Sequence, residues 1–145
     1  VFRHILLSTD GSAQSVAAAD KVLQFARDIG AQVTVVHVVL PVNLIAYEPG
    51  AIEAGQDACR KDRERCLREY LAPIEQRAQE YKVKCTALQV EAEQPYEAIL
   101  STAHDRMCDL IAMASHGRKG LGALILGSQT QKVLTHSAIP VMVLK

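Results

Sequence analysis

Five short apolar runs, separated by four stretches of helical periodicity, leave this chain very few architectures. The runs are residues 4–8 (HILLS), 33–40 (VTVVHVVL), 82–90 (KVKCTALQV), 109–114 (DLIAMA) and 139–144 (IPVMVL). Four of them are almost wholly apolar, as strands covered on both faces of a parallel sheet must be. The 82–90 run partly alternates, with Val83, Cys85 and Ala87 on one side, which suits a sheet edge.

The intervening stretches carry helix signals. After Ser12, an N-cap residue by type, Val22, Leu23, Ala26 and Ile29 form a stripe that Gly30 ends. Leu67, Tyr70, Leu71, Ile74, Ala78 and Tyr81 form a second, in which Pro73 kinks the helix or marks its restart. Pro95 opens a third at its first-turn position, with Tyr96, Ile99, Leu100 and Ala103 inward. Ser128 begins a fourth, with Val133 and Leu134 inward and Pro140 closing it. The order β-α-β-α-β-α-β-α-β predicts an α/β fold: a five-stranded parallel sheet, doubly wound into three α/β/α layers, Rossmann-like, with right-handed crossovers. One domain is expected over residues 1–145. Segment 40–52 (LPVNLIAYEPGAI) breaks the rhythm. It is too apolar for a solvated linker and reads as a lid, a partner contact or a loop packed on its own domain.

Composition narrows the function. A chain of 145 residues, 49% hydrophobic, can bury a sizeable core. Sixteen Lys and Arg balance sixteen Asp and Glu. That zero net charge argues against nucleic acid, since binding phosphate backbone takes a surplus of cations. No apolar run reaches the roughly 18 residues of a membrane span. No charged leader with an apolar core opens the sequence, so a cytoplasmic location is expected. Cys59, Cys66, Cys85 and Cys108 form neither a CxxC pair nor a zinc spacing, and are expected as reduced thiols. His4, His37, His104 and His136 show no metal spacing either.

In an open α/β sheet, ligands bind beyond the carboxyl ends of the strands, where strand order reverses. Two strand ends stand out: Ser8-Thr9-Asp10-Gly11-Ser12 after the first, and Met113-Ala114-Ser115-His116-Gly117 after the fourth. Arg118 and Lys119 follow, two exposed loop cations of the kind most often solvated. Gly127, Ser128, Gln129 and Thr130 open the last helix, where backbone N–H groups and two hydroxyls can face an anion. The glycines serve equally as turn and cap residues. Asp10 either accepts from a sugar hydroxyl or base amine, or caps the first helix. No GxxxxGK[ST] occurs. Gly120-Leu121-Gly122 lacks the third glycine of a dinucleotide fingerprint and follows the wrong strand.

Three stretches, 5–12, 30–38 and 109–145, resemble the universal stress proteins, single-domain members of the adenine-nucleotide α-hydrolase-like fold. The ATP-binding branch of that family carries Gly-x-x-Gly, nine residues, then Gly-Ser or Gly-Thr. Here the pattern reads Ala114-Ser115-His116-Gly117, nine residues, then Gly127-Ser128, with Ala114 in place of the first glycine. The resemblance implies ATP binding. Ser8, Thr9 and Asp10 then line base and ribose, Val38 offers backbone to the adenine edge, and Met113 and Ala114 border the adenosine. His116 and Gly117, with Arg118, Gly127, Ser128, Gln129 and Thr130, surround the phosphates. Mg²⁺ would be carried mainly by phosphate oxygens. The resemblance further implies a homodimer paired through the C-terminal strand, a terminal edge apolar enough to invite pairing.

No catalytic residue is assigned: Ser12 has no legible His–acid partner, and His116 lies in the phosphate loop. The expected function is a nucleotide-dependent stress-response module with at most slow ATP hydrolysis. The alternatives are a dimeric scaffold without nucleotide, or a slow ATPase or adenylyl-transfer enzyme.

Overall fold

The computed structural model of the protein describes residues 1–41, 50–117 and 126–145. Five strands, β1 (His4–Ser8), β2 (Gln32–Val39), β3 (Cys85–Glu91), β4 (Leu110–Ala114) and β5 (Val141–Leu144), form one all-parallel sheet in the order β3-β2-β1-β4-β5. Each expected run supplies one strand, with ends shifted by up to three residues. The partly alternating third run lies at an edge, as its pattern requires.

Alternation within the strands divides the core into two. Ile5, Leu7, Val33, Val35, Leu110 and Ala112 point to one face, where they meet Val22, Leu23 and Ala26 of helix α1 (Ala13–Ile29) and Ile74 and Ala78 of α3 (Ala72–Glu80). Leu6, Val36, Ile111 and Met113 point to the other. There they meet Ile99 and Ala103 of α4 (Pro95–Asp105) and Val133 of α5 (Ser128–His136). Complete burial of side chains such as Leu6, Ile111 and Val133 stabilises the fold by roughly 1.5–3 kcal/mol each. The three-layer, doubly wound α/β architecture read from the sequence is therefore the observed one.

Local chemistry sets the helix ends. Ser12 caps α1 by accepting from the Ser15 amide, and Gly30 ends it with φ +72°. Three residues of the expected apolar stripes face outward instead: Ile29 is 39% exposed at the last turn of α1, Leu67 is 42% exposed in the second helical stretch, and Leu134 is 41% exposed on α5. Leu134 lies one residue beyond the buried Val133, whereas Ile29 continues the stripe of Val22 and Ala26 but falls where the helix ends.

The second helical stretch differs most. It begins at Ala51, well before the stripe at Leu67, and runs as α2 (Ala51–Cys66), a π-helical turn (Leu67–Leu71) and α3 without leaving helical backbone. Within α2 only Cys66 is buried. The break in regular α geometry comes at the π turn, and Pro73 follows it in the first turn of α3. Much of segment 40–52 lies outside the described residues. All four cysteines are free thiols, as expected.

Candidate functional site

The chain runs outward from β1 through β2 to β3, then crosses to β4 and β5 on the other side. Strand order therefore reverses between β1 and β4. A cleft of about 640 Å³ opens at their carboxyl ends, on the side of α4 and α5. That volume lies within the ~300–1,000 Å³ of small-molecule sites.

Twelve of the thirteen residues expected at the site line this cleft. Ser8, Thr9 and Asp10 come from the end of β1, and Val38 from β2. Met113, Ala114, His116 and Gly117 come from β4 and the turn after it, and Gly127, Ser128, Gln129 and Thr130 from the start of α5. The thirteenth, Arg118, lies outside the described residues, as do Lys119 and Gly120-Leu121-Gly122. Ser15, Pro95, Ile99, Leu126 and Gln131 complete the lining. Pro95 and Ile99 are legible in the sequence as helix start and core. Only the pairing of α4 with α5 brings them to the cleft.

The roles divide differently from the residue types. Thr9 is 3% exposed. Its hydroxyl donates to Ser15 Oγ (3.1 Å) and accepts from the Gly11 amide (3.3 Å), so it braces the β1 turn. Asp10 Oδ1 accepts from the Ser12 amide at 2.9 Å, closing an Asx turn ahead of α1. Its Oδ2 lies over Gly117, where any Cβ would overlap it. Glycine at 117 is thus required by close approach. Gly127 has φ −59°, and a Cβ there would meet Ser115 O at an ordinary 3.5 Å. Among the described residues, only Lys82 and Met107 combine a side chain with positive φ, so Ala114 sits in unstrained backbone.

Gly127 supplies no side-chain cap to α5. Its carbonyl accepts from the Gln131 amide at 3.0 Å. The first amides of the helix, at Ser128, Gln129 and Thr130, lie ahead of any intrahelical acceptor and carry the positive end of the dipole. Of the two hydroxyls expected to face an anion, only that of Ser128 is exposed. Thr130 Oγ1 donates to Ala114 O at 3.2 Å. Gln129 Oε1 accepts from the Tyr96 amide at 2.9 Å, so this side chain caps α4 from a neighbouring helix, leaving its backbone amide for the cleft. His116 shares a 2.9 Å hydrogen bond between Nδ1 and Ser115 Oγ. Its Nε2 is buried and has no hydrogen-bond partner among the described residues. A buried nitrogen left without a partner is costly, and the described residues do not supply one. No group of three His, Cys, Asp or Glu side chains that could hold a metal occurs among the described residues.

A doubly wound all-parallel sheet with a cleft at its switch point and a helix N-terminus beside it defines a Rossmann-like α/β fold. The chain belongs to the universal stress protein family, whose model matches residues 2–145. A universal stress protein of Thermus aquaticus is 33% identical over 153 aligned positions, covering all of both chains. The solved structure of the Methanocaldococcus jannaschii protein MJ0577 superposes with a TM-score of 0.82 at 26% identity, covering 99% of this chain and 96% of that one. Two more distant family structures share the fold and hold adenine nucleotides. One, a universal stress protein in complex with cAMP, has a TM-score of 0.67 at 22% identity, covering 99% and 96% of the two chains. The other, from Archaeoglobus fulgidus in complex with dAMP, has a TM-score of 0.62 at 18% identity, covering 100% and 98%.

Proposed function

We propose that the cleft binds ATP with Mg²⁺ and that the protein is a nucleotide-dependent regulatory module rather than a dedicated enzyme. The observation that carries this reading is a pair of hydrogen-bonding features at one place that the described residues leave unmet: the buried Nε2 of His116 and the start of α5, which has no side-chain cap. Both suit phosphate oxygens. Adenine nucleotides in two family structures support the ligand class.

In this reading Val38, Met113, Pro95 and Ile99 give an apolar slot for the base, and Asp10 accepts from the ribose. The amides of Ser128 to Thr130, the Ser128 hydroxyl and His116 hold the phosphates. Mg²⁺ is carried by phosphate oxygens, because Asp10 is the only carboxylate among the described lining residues. A second copy pairs along the open edge of β5. With no aligned nucleophile and base among the described lining residues, turnover is slow.

Ala114 favours a second reading, a dimeric scaffold without nucleotide. Its methyl group stands at the cleft wall where the family's ATP-binding pattern has glycine. Denaturing freshly purified protein and identifying any released nucleotide separates the two. Release of ATP or a breakdown product supports the first. No release, together with no uptake of added ATP and Mg²⁺, supports the second. A steady-state assay in excess ATP, with Ser128→Ala as control, measures turnover.

A further inference from the structure

We propose that Tyr70, in the opposite layer of the fold from the cleft, is the positioning residue for Asp10; its consequence for affinity rests on the nucleotide reading above. The turn after β1 is packed from two sides. In front, the Asp10 carboxylate lies over Gly117, with no room for a Cβ between them. Behind, three ring carbons of Tyr70 lie 2.5–2.6 Å from where a Cβ on Gly11 would stand. Gly11 also has φ +78°, a conformation that disfavours any side chain. Ring, Gly11 backbone, Asp10 carboxylate and Gly117 backbone thus form one stack running from the α3 side of the sheet into the cleft.

The π turn is what delivers the ring. Cys66 and Leu71 are both buried, at 5% and 1% exposure, although they are five residues apart. An α-helix sets residues at that spacing about 140° apart. The wider π turn brings both inward and sets Tyr70 beside them, half-buried against Gly11. Such turns recur at functional sites. The ring is then held on its other sides. His37 meets it edge-on at 5.4 Å and 77°, and the Arg65 guanidinium lies 5.5 Å from its centroid. Asp62 and Glu69 pair with Arg65 at 2.8 Å, and Gln89 lies 3.3 Å from His37 Nδ1. None of these five side chains lines the cleft.

The test compares Tyr70→Phe, Tyr70→Leu and Tyr70→Ala by two measurements. The first is amide hydrogen exchange at Ser12, whose N–H reports the Asp10 Oδ1 bond without any ligand. The second is ATP–Mg²⁺ affinity, measured well below each variant's Tm. Phe keeps the ring, so Ser12 protection and affinity stay within about twofold of the parent chain. Leu and Ala lose about tenfold in Ser12 protection while the amides of β1 keep theirs, and affinity falls about tenfold. Leu preserves apolar volume and decides the matter if Ala does not fold. Unchanged Ser12 protection in the Leu variant, or an equal loss in the Phe variant, overturns the proposal. If the parent chain binds no ATP, the nucleotide reading fails and the exchange measurement still decides the role of Tyr70.

Discussion

Two glycines of the cleft make opposite demands. A Cβ at Gly117 overlaps the Asp10 carboxylate, whereas one at Gly127 meets its neighbours at 3.5–3.8 Å. Gly117→Ala is therefore expected to displace Asp10 and weaken ATP binding about tenfold or more, about 1.4 kcal/mol per tenfold. Gly127→Ala should leave Tm near the parent value, while the branched side chain of Gly127→Val projects towards the phosphate seat and abolishes binding in a folded protein. Calorimetric titration beside thermal melts checks all three; equal affinities for the two alanine variants would contradict the distinction. Residue types and spacing make most of this site legible in the sequence, because glycine, serine and aspartate at strand ends have few other reasons to cluster. Hidden from it are the directions of side chains. That Thr130 turns to Ala114 O depends on how α5 packs on β4, and that Gln129 turns to the Tyr96 amide depends on how α5 packs on α4, which no local pattern encodes.

At the scale of elements, α4 and α5 are joined at their starts. Gln94, the N-cap residue of α4, makes no side-chain capping bond (its Oε1 accepts from Lys132 Nζ), and Gln129 supplies the missing acceptor. Gln129→Ala should cost about 1 kcal/mol, as loss of a helix cap does. It should also speed exchange of the Tyr96 amide; unaltered exchange there would show the contact to be dispensable. The strands were readable because a sheet buried on both faces needs continuous apolar runs. Helix α2 was not: AIEAGQDACRKDRERC has no apolar stripe, buries only Cys66, and carries its helical tendency in charged residues that also populate loops. The π turn escaped for a related reason, since the stripe from Leu67 to Tyr81 fits one continuous helix until Cys66 and Leu71 are both seen to be buried.

For the whole molecule, acid is destabilising at two levels. Burial holds the His4 imidazole below its ordinary 6.5, beside Thr34 Oγ1 at 2.7 Å. The Arg77 guanidinium holds Asp20 below 3.8. At Asp109, burial pushes the carboxyl up, but the amides of His4 and Arg3 outweigh it and hold it below 3.8. In each case the unfolded chain binds more protons, so stability rises with pH. The His4 contribution is complete above 6.5 and is lost as pH falls below it; those of Asp20 and Asp109 are lost below 3.8. Tm should therefore be flat from neutrality to about pH 8, below the ordinary thiol value of 9 that burial raises at Cys85 and Cys108, and fall in two steps on the acid side, with His4→Gln removing the upper one. A Tm that rises between pH 7 and pH 5 would contradict this assignment.

Assembly is tested at the same scale. Ile111 and Ser115 donate to the Pro140 and Leu144 carbonyls, and parallel alternation then leaves the Val141 and Val143 amides on the open edge of the sheet. Val143→Pro removes one outward donor without touching β4. If copies pair along β5 as proposed, light scattering should show a dimer of the parent chain and a folded monomer of the variant; a parent chain that is monomeric, or a variant that stays dimeric, would contradict pairing at this edge.

The most direct measurement is calorimetric titration of nucleotide-stripped protein with ATP and Mg²⁺, run beside Gly117→Ala. Saturable binding at one site per chain, weakened at least about tenfold in the variant, is the predicted result. A folded parent chain that takes up no ATP at millimolar concentration, or a variant that binds as tightly as the parent, would contradict a nucleotide seat between the turn after β1 and the start of α5.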